Sequence, residues 1–355
     1  MKDTHLDLTL LAVLSETPGL PGREMLVAER IQQALPAGWT AEVDAIGNLV
    51  AHCPAWVGCG PKVMLMAHMD EVGLIVRRIT PDGFLLVERM GGMGLRSLPG
   101  ARLDLWTSDG RCLPAQVGTL PQHLDGTDVL SLASMYVEIG TASRQEVEAL
   151  GVQVGDGLTW ASSLERFGEH AIRGKALDDR LGCFALLELA RYLQATGSTP
   201  ACDLHLAFVV QEESCLSGGL PAVQHYAPSV VIGIDGTLTF DTPDLLDQQT
   251  EVRLGGGPAL KWLEAIRGKL VCTVPDWSLA QTARVTAHQA GIPLQDEVII
   301  GIGTALNPVP YANQGVRILG LSLPVRYHHS PVEMADLRDV DWMVKLLAAL
   351  LQVAL

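Results

Sequence analysis

A chain of 355 residues is longer than one hydrophobic core usually fills, so two domains are expected. It is 48% hydrophobic, as packed globular proteins are, and its 25 basic against 40 acidic side chains leave a net charge of −15. That sign excludes nucleic acid and an anionic membrane surface as partners, while an acidic pocket welcomes metal ions and protonated amines. The seven cysteines, at 53, 59, 112, 183, 202, 215 and 272, include no C-x-x-C pair. A disulfide framework and a zinc knuckle are therefore not expected; buried, reduced thiols and a cytoplasmic setting are.

In chain order, Leu6, Leu10, Ala12, Val13 and Leu14 mark one face of a first helix, which Pro18-Gly19 ends. Asp3 and Asp7 interrupt this stretch and no small-residue cleavage site follows, so it does not read as a secretion signal. No apolar run is long enough to cross a bilayer. Gly22 to Leu35 is the second helix, and Ala41 to Asp44 pairs with Asn48 to His52 as strands around Ile46-Gly47. Val63 to Ala67 is an unbroken apolar run, as expected for a strand covered on both faces. Residues 72–166 then change texture. Short β-type runs (Gly73 to Ile79, Gly83 to Arg89, Ala101 to Trp106, Ala115 to Thr119) are separated by turn residues, with one helical period at Ser143 to Leu150. This is the pattern of a small β-barrel or sandwich inserted as a block into a host made of residues 1–71 and 167–355.

Beyond the insertion, helices and strands alternate. Asp179 to Gln194, Gly218 to Tyr226, Ala280 to Ala290 and Asp336 to Leu350 are helical. Asp203 to Val210, Ser229 to Ile234, Glu297 to Ile300 and Gly315 to Leu323 are strands. The expected class is α/β, with a mostly parallel sheet flanked by helices.

Ligands gather at the carboxyl ends of strands in such sheets. The residues that follow the predicted strands form a coherent set: His68-Met69-Asp70-Glu71, Gln211-Glu212-Glu213, Asp235, and Arg326-Tyr327-His328-His329-Ser330-Pro331. Asp178 stands just before the next helix. A buried strand that stops at two adjacent acids is costly unless something positive faces them, and these nitrogen and oxygen donors suit a zinc-type site. His68 and Asp70 are two apart and face the same way on an extended chain, so Asp70 can hold the second ring nitrogen of a metal-binding His68. Glu212 and Glu213 are adjacent and diverge, so one can bind metal while the other serves as a base toward water. His328 and His329 compete for one ligand position and, on a strand, point oppositely.

Five motifs in this order resemble the M42 aminopeptidases, a group related to the tetrahedral peptidases and formerly described in part as endoglucanases. They are Ala67-His68-Met69-Asp70-Glu71-Val72-Gly73, Lys175-Ala176-Leu177-Asp178-Asp179-Arg180, Gln211-Glu212-Glu213, the strand-end Asp235, and Tyr327-His328-His329-Ser330-Pro331-Val332-Glu333. The resemblance runs over essentially the whole chain and implies a zinc-peptidase-like fold with two divalent metal ions, for which zinc, cobalt and manganese all suit the donors. It implies that Asp178 bridges the ions, that His68 and Asp235 complete one, and that Glu213 and His329 complete the other. Glu212 becomes the general base, Asp70 orients His68, peptides are the substrates, and the inserted domain helps to build homo-oligomers, often of twelve subunits.

The chain departs from the family pattern at three places. Asp179 stands where asparagine is common, Ser214-Cys215-Leu216-Ser217-Gly218 replaces a segment like Val-Gly-x-Arg-Gly, and Ile234-Asp235-Gly236-Thr237 replaces an Asp-Val-Thr-His context. Rival readings are an N-acyl amino acid deacylase or carboxypeptidase on the same scaffold, or a non-catalytic oligomeric binding relative. Serine-hydrolase and zincin motifs are absent, and an acid pair serving as metal ligands is unsuited to glucan hydrolysis. His52, His123, His205, His225 and His288 fall outside the ligand set. Asp241, Asp244 and Asp247 read as a solvated turn around Pro243. Gly255-Gly256-Gly257-Pro258 reads as a flexible loop at the edge of the site, and Met90 to Gly94 as a loop within the β unit.

Overall fold

The computed structural model describes residues 6–355 except 56, 57, 59, 121, 122, 124–130, 246–248, 269, 270 and 354. Cys59 and Asp247 therefore lie outside the described residues. At the centre is the strand Lys62–His68, whose run of apolar side chains is buried on both faces. Asp203–Val209 and Val230–Leu238 flank it in parallel, and Arg317–Val325 runs parallel to Val230–Leu238. Antiparallel strands complete the sheet: Leu49–His52 and Thr40–Val43 on one side, Ala259–Ala265 and Cys272–Thr273 on the other. Gln295–Ile300 adds a further strand parallel to Ala259–Ala265.

Alternation along the strands feeds two cores. Val63, Leu65 and Ala67 face a large cluster with the helices Leu8–Glu16, Met25–Ala34, Leu177–Thr196, Trp277–Ala290 and Leu337–Leu350. Met64 and Met66 face a smaller one that includes Ala222 and Val223 from Leu220–Tyr226, and Leu306 and Val309. Covering both faces satisfies every apolar row of the parallel strands and leaves their carboxyl ends as the open rim. No helix among the described residues is long and apolar enough to cross a membrane.

Between His68 and the next host strand the chain builds a closed barrel. Its strands, in order around the barrel, are Gly73–Ile79, Leu85–Met90, Val137–Glu138, Cys112–Val117, Arg102–Trp106 and Gly157–Trp160. Closure leaves no free sheet edge, and Leu74, Val87, Leu103, Leu105, Leu158 and Trp160 fill a core separate from the host's. Val137–Glu138 and Gly157–Trp160 are too short to register as strands in the sequence. Their pairing is supplied by distant neighbours, such as Leu103 opposite Trp160.

Two sequence expectations need correction. Gly255 to Pro258 is no flexible edge loop: the Gly255 and Gly257 N–H groups each donate to Asp339 at 2.8 Å, pinning the segment to the closing helix, and the strand Ala259–Ala265 follows directly. Nor are the thiols uniformly buried. Cys183 and Cys202 are, but Cys112, Cys215 and Cys272 are exposed, because they fall at a strand start, the end of a one-turn helix and the sheet's short outer strand.

Candidate metal centre

The rim brings together the candidate site residues His68, Asp70, Asp178, Glu212, Glu213, Asp235, His328 and His329. His68 ends the central strand with its Nδ1 3.4 Å from Asp70 Oδ1 and its Nε2 3.4 Å from Asp178 Oδ1. The same Nε2 lies 3.8 Å from Asp235 Oδ1 and 3.9 Å from Glu212 Oε2. Glu212 and Glu213 open the one-turn helix Glu212–Cys215. They do not diverge as an extended chain would have them, because the helical turn brings a carboxylate oxygen of each within 4.8 Å of the other, and Glu213 Oε1 also lies 3.2 Å from His329 Nε2. Asp70 also accepts the backbone N–H groups of Glu212 and Glu213, at 3.0 and 2.9 Å. It thus anchors both sides of the centre.

His328 and His329 do not point apart. The strand ends at Val325, and Tyr327 and His329 both adopt left-handed backbone (φ 59° each), which breaks the alternation assumed for a strand. His328 Nδ1 lies 3.0 Å from Asp178 Oδ2, and His329 Nε2 lies 3.4 Å from the same oxygen. Gly236 makes room for this: a Cβ there would come within 2.8 Å of both Asp178 Oδ1 and His328 Cε1. The absence of a Cβ at Gly236 therefore leaves space where His328 meets Asp178. The remaining departures are structural too. Asp179 accepts the His68 N–H on one oxygen (3.2 Å) and the Gly182 N–H on the other (3.0 Å), whereas asparagine has a single acceptor oxygen. Ser214 and Cys215 lie exposed on the turn that leads back to Gly218, whose Cβ would strike the Val210 carbonyl at 1.5 Å.

Sequence reasoning missed one contributor altogether. Gly92, in the barrel loop Met90 to Gly94, presents its carbonyl 3.1 Å from His329 Nδ1. A glycine pair in a loop is a weak signal, and only the docking of barrel on host reveals its use.

Electrostatically the cluster asks for positive charge. Burial pushes the Glu212 carboxyl well above the usual range, opposed by His68 and reinforced by Glu213, Asp70 and Asp178. Burial also raises Asp235, again against His68. At Asp178 burial is outweighed by His328, His329 and His68, which hold the carboxyl well below its ordinary value. Burial would lower His68 and His329, but the surrounding carboxylates lift both well above theirs. Asp178 Oδ1, Glu212 Oε1, Glu213 Oε1 and His328 Nε2 are buried without a hydrogen-bond partner. Buried acceptors left unmade in this way are expensive, and divalent cations would satisfy them. Three overlapping donor groups (Asp178, His328 and His329; His68, Glu212 and Glu213; His68, Asp178 and Asp235) each converge within 4.8 Å. The cluster is a candidate dinuclear metal centre.

Comparison with known proteins places the chain among peptidases. The chain is 34% identical over 355 residues to the lysyl aminopeptidase of Pyrococcus furiosus, covering 98% of this chain and 97% of the relative. It is 28% identical over 338 residues to the glutamyl aminopeptidase of Lactococcus lactis subsp. cremoris, covering 93% and 90%. Its fold superimposes with a TM-score of 0.91 on an aminopeptidase from the archaeon Desulfurococcus kamchatkensis, at 30% identity and covering 98% and 94% of the two chains. It matches the Pyrococcus horikoshii TET1 peptidase, described as assembling into a tetrahedron or a large octahedral shell, with a TM-score of 0.85 at 29% identity over 97% and 99%. The family model for M42 glutamyl aminopeptidases matches residues 47–346, and with a metal-ligand cluster at the rim of a matching fold, the chain belongs to that family of peptide hydrolases.

Proposed function

We propose that this protein removes N-terminal residues from peptides as a two-metal aminopeptidase with Glu212 as general base. The observation that carries the reading is the overlap of the donor groups: they share His68 and Asp178, so one cluster has donors for two ions around a common carboxylate. In this reading Asp178, His68 and Asp235 would hold one ion, and Asp178, Glu213 and His329 the other. Zinc is the first candidate, with cobalt and manganese suited to the same donors.

When bound, such ions polarise the scissile carbonyl and acidify the attacking water. The chain's own part is to place groups and move the proton. Glu212 Oε1, buried and without a partner, takes the proton from water and returns it to the leaving amine. Asp70, facing His68 Nδ1, selects the tautomer that leaves Nε2 free to ligate, and the Gly92 carbonyl does the same for His329. In the same reading residues 1–71 and 167–355 form the catalytic domain, and residues 72–166 an inserted domain that helps assemble a homo-oligomer. A cytoplasmic setting is supported by the free thiols.

Glu212→Gln is expected to lower kcat by about 10²- to 10⁴-fold while metal content stays unchanged, and peptide hydrolysis within about threefold of the unaltered enzyme would remove Glu212 from this role. Assaying free-amine against N-blocked peptides separates an aminopeptidase from a deacylase or carboxypeptidase. Metal analysis of the purified protein tests the ions themselves; a metal-free, inactive protein would favour the binding relative.

A further inference from the structure

The turn that carries Glu212 and Glu213 is held by more side chains than the motifs account for. Four consecutive backbone N–H groups donate to side-chain oxygens. Val210 donates to Asn48 Oδ1 at 2.9 Å and Gln211 to Glu24 Oε1 at 2.9 Å. Glu212 and Glu213 donate to the two oxygens of Asp70 at 3.0 and 2.9 Å. The three acceptors come from the first helical hairpin, the edge of the sheet and the loop after the central strand. Asn48 also donates to the Gly218 carbonyl at 2.8 Å, so it ties together both ends of the loop 210–218.

Glu24 is the least expected of the three. It stands at the N-cap of the helix Met25–Ala34 yet makes no side-chain hydrogen bond to that helix. Its carboxylate, 3% exposed, turns away and takes the Gly22 and Gln211 N–H groups on one oxygen, at 2.8 and 2.9 Å. Glutamate is not a common N-cap residue, and the bonds that Glu24 does make run to Gly22 and Gln211 rather than to its helix. What it holds is Gln211 at φ 57°, a left-handed conformation that a non-glycine residue keeps only when its surroundings impose it.

We propose that Glu24 is a positioning residue for the general base: by fixing the peptide plane before Gln211 it sets the direction in which Glu212 leaves the chain. The proposal rests on the reading of Glu212 as base. Glu24 reaches Glu212 through the Gln211 N–H, and the effect is geometric: rotation of that turn swings the Glu212 carboxylate, and a displacement of ~1 Å at a reacting group can cost about 10²-fold in rate.

The test is a series at one position, read by kinetics, metal content and amide hydrogen exchange of the segment 210–216. Glu24→Ala is expected to lower kcat about 10- to 100-fold with KM within about threefold, and to speed exchange at Gln211. Glu24→Gln keeps an acceptor oxygen for both N–H groups and should restore kcat to within about threefold of the unaltered enzyme. Glu24→Asp, one methylene short, should stay impaired, and it decides the matter if the alanine variant does not fold. Unchanged kcat in the alanine or aspartate variant, or a glutamine variant as slow as alanine, overturns the proposal. The exchange measurement does not depend on turnover. If Glu212→Gln proves active while Glu24→Ala loosens Gln211 and slows the enzyme, the base assignment fails, and with it the role of Glu24 toward a base, although Glu24 still holds the turn.

Discussion

His329 packs against Gly92 of the barrel loop, and a Cβ there would come within 2.7 Å of its Nδ1 and 2.9 Å of its Cε1. Gly92→Ala should therefore push the ring away from Glu213 and Asp178, lowering both metal content and kcat by at least about tenfold while the fold persists. Metal analysis beside circular dichroism checks this, and a variant with full metal content and full activity would show that the ring adapts without loss. At the scale of single residues much of the centre was legible. Asp70, Glu212 and Glu213 follow recognisable strands and His68 closes one, so their placement needs only the strand ends. Asp235 does not end its strand as expected but lies within it, because pairing with Arg317–Val325 carries that strand on to Leu238. His328 was not legible in this way. Its direction depends on left-handed backbone at Tyr327 and His329 and on the space above Gly236, neither of which has a local sequence signature.

Where the insertion leaves and re-enters the host, two residues far apart in sequence meet. Glu71 follows the His68 loop, Lys175 precedes the helix Leu177–Thr196, and the Lys175 ammonium lies 2.7 Å from both Glu71 oxygens with both side chains 2% exposed. Glu71 also accepts the Gly19 N–H at 3.2 Å, so the pair ties the first helix, the root of the barrel and the host together. Lys175→Met leaves the buried Glu71 carboxylate with one cation only, the more distant Arg180 guanidinium 3.8 Å away, and should cost about 3–5 kcal/mol in urea unfolding. Adding Glu71→Gln should recover a good part of that loss, and a double variant no better than the single one would show that the ion pair is not the source. Elements with a long period were readable, such as Leu177–Thr196 and Lys62–His68. The two-residue strand Val137–Glu138 and the four-residue Gly157–Trp160 were not, because barrel strands this short owe their conformation to pairing rather than to their own pattern.

For the molecule as a whole, the net charge of −15 is partly concentrated where carboxylates converge on the rim, which is how an acidic chain can attract metal ions and amines while repelling polyanions. A relative of matching fold forms a tetrahedron or an octahedral shell, and the proposed homo-oligomer predicts a mass several times the 38.0 kDa chain in light scattering; a lone 38.0 kDa species at micromolar concentration would contradict it. By itself the sequence determined the alternation of strands and helices, the inserted β unit and the order in which the donor residues arrive. Those depend on apolar periodicity and on residue type at strand ends, both of which are local. Only the tertiary structure decided that both histidines turn to Asp178, that a barrel loop reaches His329, and that Glu24 holds the turn before the glutamates. Each of those depends on contact through space between segments as much as 237 residues apart, for which neighbouring sequence carries no signal.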